Sequence, residues 1–196
     1  MSRSDYVPPQ FFEQIRLLMN YENALAIEVS LKTGLRIGDV LSIKKTDIKN
    51  DFVSFVSNKT KKAGKKYIGK NLARRLLQIS GKEYVFVGRD CETKHRTRQA
   101  VYKDLVAAAH RLGVDLNVTP HSARKVYAVG VYKEKGLKAC KEELQHDRDF
   151  TTIIYAMADK LTENKRFENL LTDDDTVAKI AEQVFEKLKE FFSKTS

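Results

Sequence analysis

The sequence predicts a mostly helical domain with one small antiparallel β-sheet. Three observations carry that expectation: apolar residues at helical intervals in most segments, one short stretch of alternating polarity, and glycine, proline and capping residues where elements should begin and end. At 196 residues the chain suits one domain and is long enough to bury a core without staples. Apolar residues make up 42% and charged residues 32%, the balance of a globular rather than a disordered chain. No apolar run approaches the length of a membrane span, and the opening MSRSDYVPPQ lacks the apolar segment of a secretory signal. Cys91 and Cys140 lie far apart, outside any ligand spacing, and read as reduced thiols of a cytoplasmic protein, one at the surface and one in the core.

The elements follow in order. PPQFFEQIRLLMN is expected to be helical, with Pro8 or Pro9 in its first turn. ENALAIEVSLKTG is a second helix whose apolar period is blurred but whose end at Gly34 is clear. RIGDVLSI is a third, short helix. In DFVSFV the residues Phe52, Ser54 and Val56 alternate with Val53 and Phe55, which is strand period. NKTKKAGKK is expected as a basic turn around one glycine, with KKYIG returning as the second strand of a hairpin. Helix NLARRLLQIS, a short strand EYVFV and helix TRQAVYKDLVAAAHRLG come next. Thr119 then caps a helix with Pro120 in its first position and Gly136 at its end, and two further helical stretches follow. The last segment opens on acidic TDDD and carries one apolar stripe over about 173–194.

Net charge is +10, which favours polyanionic partners, nucleic acid first and an anionic membrane surface second. The lack of a strongly basic amphipathic helix disfavours the membrane. Three stretches could meet a phosphate. In TPHSARK, His121 and Arg124 share a face at a helix start. In TGLRIGDVL, Arg36 has Asp39 three residues on, close enough to hold its guanidinium, a group suited to bidentate phosphate contacts. The hairpin tip carries Lys59, Lys61, Lys62, Lys65 and Lys66, a set that would touch DNA backbone, and a lysine among cations can also serve as a proton donor. Neither clustered carboxylates nor a phosphate-binding glycine loop is present, so chemistry without metal, cofactor or ATP is expected.

With LQHDRDFTTIIY, where Tyr155 stands nine residues after His146, these stretches resemble the catalytic domain of the tyrosine recombinase, or phage integrase, family. They occur in the family's order and at roughly its intervals, over about residues 8–160. The resemblance implies the DNA breaking-rejoining catalytic fold. It also implies roles: Arg36 and Arg124 hold the scissile phosphate, Asp39 supports the first arginine, and His121 and His146 are the two histidines. Lys59 resembles the hairpin lysine, with Lys61 as the alternative, and Tyr155 resembles the nucleophile. Lys61, Lys62, Lys65, Lys66 and Lys125 would then contact double-stranded DNA. His95 and His110 have no role in this scheme, and His110 is expected to be structural.

The chain departs from the family pattern at Gln145 (usually glycine), Ala123 (usually leucine) and Lys125 (often histidine). Few residues precede the matching region, so the usual N-terminal core-binding domain is expected to be absent, in either a fragment or a natural single-domain member. The C-terminal stripe would pack on its own domain or dock into a neighbouring protomer on DNA. The function implied is site-specific recombination through a 3′-phosphotyrosyl link, in a bacterial, phage or other mobile-element setting. Its rivals are a DNA-binding regulator that keeps the fold without recombining, and a type IB topoisomerase.

Overall fold

The computed structural model describes residues 4–89, 91–114 and 116–144. His146, Tyr155 and the expected C-terminal helix over 173–194 lie outside the described residues. Helix α1 spans Pro9–Leu17 and α2 spans Tyr21–Thr33. Then come α3 (Ile37–Leu41), a 3₁₀ turn (Lys45–Asp47), β1 (Ile48–Lys49), β2 (Phe52–Val56) and β3 (Ala63–Tyr67). Helices α4 (Lys70–Ile79), α5 (Arg98–Arg111) and α6 (Pro120–Leu144) complete the described part.

Helix α2 is the hub. It packs against α1, α3, α5 and α6, and Ala24, Leu25, Ala26, Ile27 and Val29 are all buried. A helix covered on most sides needs no single apolar stripe, which is why its period is blurred in the sequence. Asn20 caps its start by accepting the Glu22 amide at 3.1 Å. Gly34 ends it in the left-handed region at φ 70°. A Cβ on Gly34 would sit 2.3 Å from Cδ1 of Tyr127 and 2.8 Å from Cδ2 of Leu144. Gly34→Ala is therefore expected to cost about 2–4 kcal/mol, left-handed strain plus overpacking. A urea denaturation midpoint equal to that of the parent chain would refute this.

The sheet has strand order β1-β2-β3, antiparallel throughout. In β2, Val53 and Phe55 face the core while Phe52, Ser54 and Val56 face outward, as the alternation predicts. Two expectations change. The glycine of the hairpin is not in its turn: Gly64 lies in β3 opposite Phe55. The turn is tighter, closed by the Ser57 amide on the Lys62 carbonyl at 2.9 Å and the Lys61 amide on the Ser57 carbonyl at 2.8 Å. Lys61 itself takes the left-handed conformation, φ 57°. Lys65 and Lys66 thus belong to β3 rather than to the tip. The segment EYVFV, expected as a strand, forms only isolated bridges, Lys44 with Tyr84 and Val87 with His95.

The core gathers Phe12, Ile15, Leu25, Ile27, Leu41, Leu76, Phe86 and Leu105, all essentially inaccessible. Cys140 is buried and Cys91 half-exposed. His110 is exposed in the last turn of α5, a solvent-facing rather than a packed position. At the start of α6 the Thr119 hydroxyl accepts the His121 amide at 3.1 Å, the cap that the sequence predicts. Gly136 interrupts α6 with φ 77° and ψ −178°, so its final turns, residues 137–144, form a separate helical arm. No helix of the described residues is long and apolar enough to cross a membrane.

Candidate active site

Arg124 is a buried, firmly held charge. It lies one turn into α6 and is only 8% exposed. Its Nη1 donates to the Gly34 carbonyl, and its Nη2 donates to the Leu144 carbonyl at 2.8 Å. One helix end and one helix arm thus hold the planar fork, and a guanidinium has further N–H donors beyond these two. Burial first, and then the charge of Arg36, lower its pKa to about 10, while Asp39 works in the opposite direction. The group remains cationic near neutral pH.

Gly34, Leu35, Arg36, Asp39, Phe55, Ser57, Arg124, Glu143 and Leu144 line one small cleft open to solvent. Arg36 stands at the N-cap position of α3, immediately after the αL end of α2, with its carbonyl accepting the Asp39 and Val40 amides at 2.8 and 3.0 Å. Asp39 is buried at 3% exposure. Its Oδ1 accepts the backbone amide of Asn58 at 2.8 Å. That bond ties α3 to the β2–β3 turn, a partner distant in sequence from the Arg36 that the sequence suggests for this carboxylate. The structure thus brings Arg36 and Asp39, from the start of α3, and Arg124, from α6, to one cleft.

The lysines divide. Lys59, Lys61 and Lys62 are exposed in the turn, which begins at the cleft residue Ser57. Lys65 is exposed on the outer face of β3, with its ammonium 4.5 Å from the ring centre of Phe52. Lys66 points to the inner face, where it pairs with the Glu143 carboxylate. Lys125 reaches the Ser4 carbonyl.

His121 follows Pro120 at the start of α6. The residue is exposed overall, but partial desolvation by its neighbours, then the charges of Arg124, Arg36, Lys125 and Arg98, hold its pKa below 6.5. The sign follows directly. The fold disfavours the charged ring, so as pH falls below 6.5 the unfolded chain takes the proton first and this residue's contribution turns destabilising. In an NMR titration His121 is expected to titrate below 6.5 and to move upward in Arg36→Gln; titration at or above 6.5 in the parent chain would refute this.

Three participants left no signal in the sequence. Glu143 accepts the Tyr127 hydroxyl at 3.1 Å and pairs with Lys66. Burial, then the Glu143 charge and hydrogen bond, push the Tyr127 phenol well above its ordinary 10. Asn58 supplies the amide that meets Asp39. All three depend on partners distant in sequence, although Asn58 and Glu143 stand beside motif residues, Lys59 and Leu144.

Comparison with known structures gives the same fold. A lambda integrase dimer bound to a COC′ core site matches with a TM-score of 0.66 at 19% identity, over 79% of this chain and 49% of that one. The lambda integrase catalytic core matches with a TM-score of 0.62 at 20% identity, over 75% of this chain and 94% of that one. XerA recombinase matches with a TM-score of 0.64 at 18% identity, over 84% and 66% of the two chains. The present chain therefore spans about half the length of the lambda integrase in that dimer. A search of curated protein sequences found no match. The family model for the phage integrase family matches residues 10–161. That span includes the cleft arginines and both sequence stretches that follow them, and the chain belongs to the phage integrase family.

Proposed function

We propose that this chain cleaves and rejoins DNA strands at a specific site, with Tyr155 as nucleophile. The observation that carries the reading is the convergence of Arg36 and Arg124 on one cleft, in a chain of this family. A phosphodiester already bears negative charge, and an attacking phenolate adds to it. Fixed cationic donors stabilise the pentacoordinate transition state more than the ground state, which is usually the largest catalytic contribution. The phenol, with an ordinary pKa of about 10, passes its proton to a histidine of the site as it attacks, with the Arg36 and Arg124 charges favouring the phenolate. Its oxygen then bonds to phosphorus, the bond from phosphorus to the 5′-oxygen breaks, and that oxygen takes a proton from Lys59. Such a positioned acid is worth roughly 10²–10⁴-fold. The 3′-phosphotyrosyl link conserves the bond energy, so an incoming 5′-hydroxyl reverses the step without ATP. His121 and His146 would donate to the same phosphate.

Double-stranded DNA is the proposed partner. The net charge of +10 suits it, and related folds have been seen on DNA as a lambda integrase dimer and as a lambda integrase tetramer on a Holliday junction. Self-association on DNA through residues 173–194 belongs to the same proposal.

The test is a DNA site nicked just 3′ of the scissile phosphate, so that cleavage releases a short fragment bearing the 5′-hydroxyl and traps the protein. A denaturing gel should show a covalent adduct, and mass spectrometry should place the nucleotide on Tyr155. Salt-dependent binding to the true site with no adduct would instead establish the non-recombining regulator.

A further inference from the structure

Two cations meet the last described turn of α6. Here Arg124 takes the Leu144 carbonyl, and Lys66 Nζ takes the Glu143 carbonyl at 3.1 Å as well as the Glu143 carboxylate. The pair is only partly accessible, 15% for the Lys66 side chain and 33% for that of Glu143. It is therefore less screened than an open surface ion pair. Tyr127 braces it from below, its hydroxyl on Glu143 and its ring 5.6 Å from the lysine ammonium. The Lys66 hydrogen bond is the main cause holding the Glu143 carboxyl below its ordinary value.

What this pair joins is the point. Lys66 lies on β3, the strand that follows the turn bearing Lys59. Glu143 lies three residues before His146 and twelve before Tyr155. Gly136 breaks the helical backbone, so the direction of the 137–144 arm does not follow from that of residues 120–135. Tertiary contacts fix it: Cys140 and Leu144 pack with Ala128 and Val131, and the Arg124 and Lys66 bonds add polar ties at its last described turn.

We propose that Lys66 and Glu143 are positioning residues, a latch that holds the Lys59 hairpin against the α6 arm and so sets the proton donor relative to the nucleophile-bearing segment. This rests on the strand-cleavage reading above. It also gives Lys66 a role other than a phosphate contact. A phosphate contact removed from Lys66 should weaken DNA binding and flatten its salt dependence. A broken latch should leave binding in place and slow the chemistry.

The experiment measures single-turnover cleavage by the full chain and its variants Glu143→Gln and Lys66→Met. Two nicked substrates are used: the ordinary phosphodiester, and one with sulfur replacing the bridging 5′-oxygen. In the second the bond from phosphorus to sulfur breaks and a thiolate leaves, which needs no proton. Both variants are expected to slow the ordinary substrate by roughly 10–100-fold, the scale of a misplaced acid. The thiolate substrate should recover most of that loss, and DNA affinity should stay within about 2-fold, since no phosphate contact is removed. Lys66→Arg should cleave faster than Lys66→Met, and circular dichroism checks that each variant is folded. Parent-like rates in both variants, an equal loss on both substrates, or a loss carried mainly by DNA affinity would overturn the latch. A parent chain that yields no adduct on either substrate would overturn the cleavage reading, and the latch with it.

Discussion

Tyr155→Phe is expected to abolish covalent capture of nicked DNA while leaving affinity for the same DNA within about 2-fold, because the lost hydroxyl contributes far less to a large electrostatic interface than to the chemistry. The substitution removes one oxygen and keeps the ring, so packing should be preserved. None of the described tyrosines is suited to take over. Tyr127 is the one beside the cleft, and its hydroxyl is committed to the Glu143 carboxylate with its ionisation suppressed. Tyr127→Phe should accordingly still form the adduct. Adduct formation by Tyr155→Phe at the parent rate would displace Tyr155 from its role.

Arg124→Ala should fail in two ways at once. Cleavage should fall by about 10²–10³-fold, the usual loss when one preorganised donor to the transition state is removed. Stability should fall too, because the buried Gly34 and Leu144 carbonyls lose their donor. An unsatisfied buried acceptor costs about 1–3 kcal/mol, so the pair sums to about 2–6 kcal/mol. Arg124→Lys keeps the charge but lacks the planar fork that reaches both carbonyls, and should recover only part of either loss. Single-turnover cleavage and urea unfolding measure the two effects separately. An alanine variant as stable as the parent would show that the carbonyl contacts are not worth what their burial implies.

The helices and the central hairpin are legible because their signals are local. Thr119 and Pro120 announce the start of α6, Gly34 announces the end of α2, and residues 52–56 alternate. The hairpin turn departs from the sequence expectation for an identifiable reason. Gly64 is the residue that ordinarily takes a left-handed turn position, yet Lys61 takes it here, and Gly64 sits opposite Phe55 instead. Strand β1 spans two residues, too few for any alternation to show. The segment around Val85 pairs with the chain at residues 43–45 through scattered bonds, so its apolar run forms no regular strand. Within the site, Arg36, Asp39 and Arg124 could be picked out because each sits in a short motif at a helix start. Glu143 and Tyr127 could not, since their roles depend on where β3 and the α6 arm meet.

The Asp39–Asn58 bond gives the molecule a built-in gauge. Asn58 is exposed in the turn, but its amide donates to a buried carboxylate. Hydrogen–deuterium exchange at that one amide therefore requires the turn to part from α3, and its protection factor measures the free energy of that opening. The amide should exchange slowly for so exposed a residue, and fast in Asp39→Ala. Followed on DNA, the same signal would tell whether the hairpin is drawn away from the domain or pressed onto it, without a label and without a turnover.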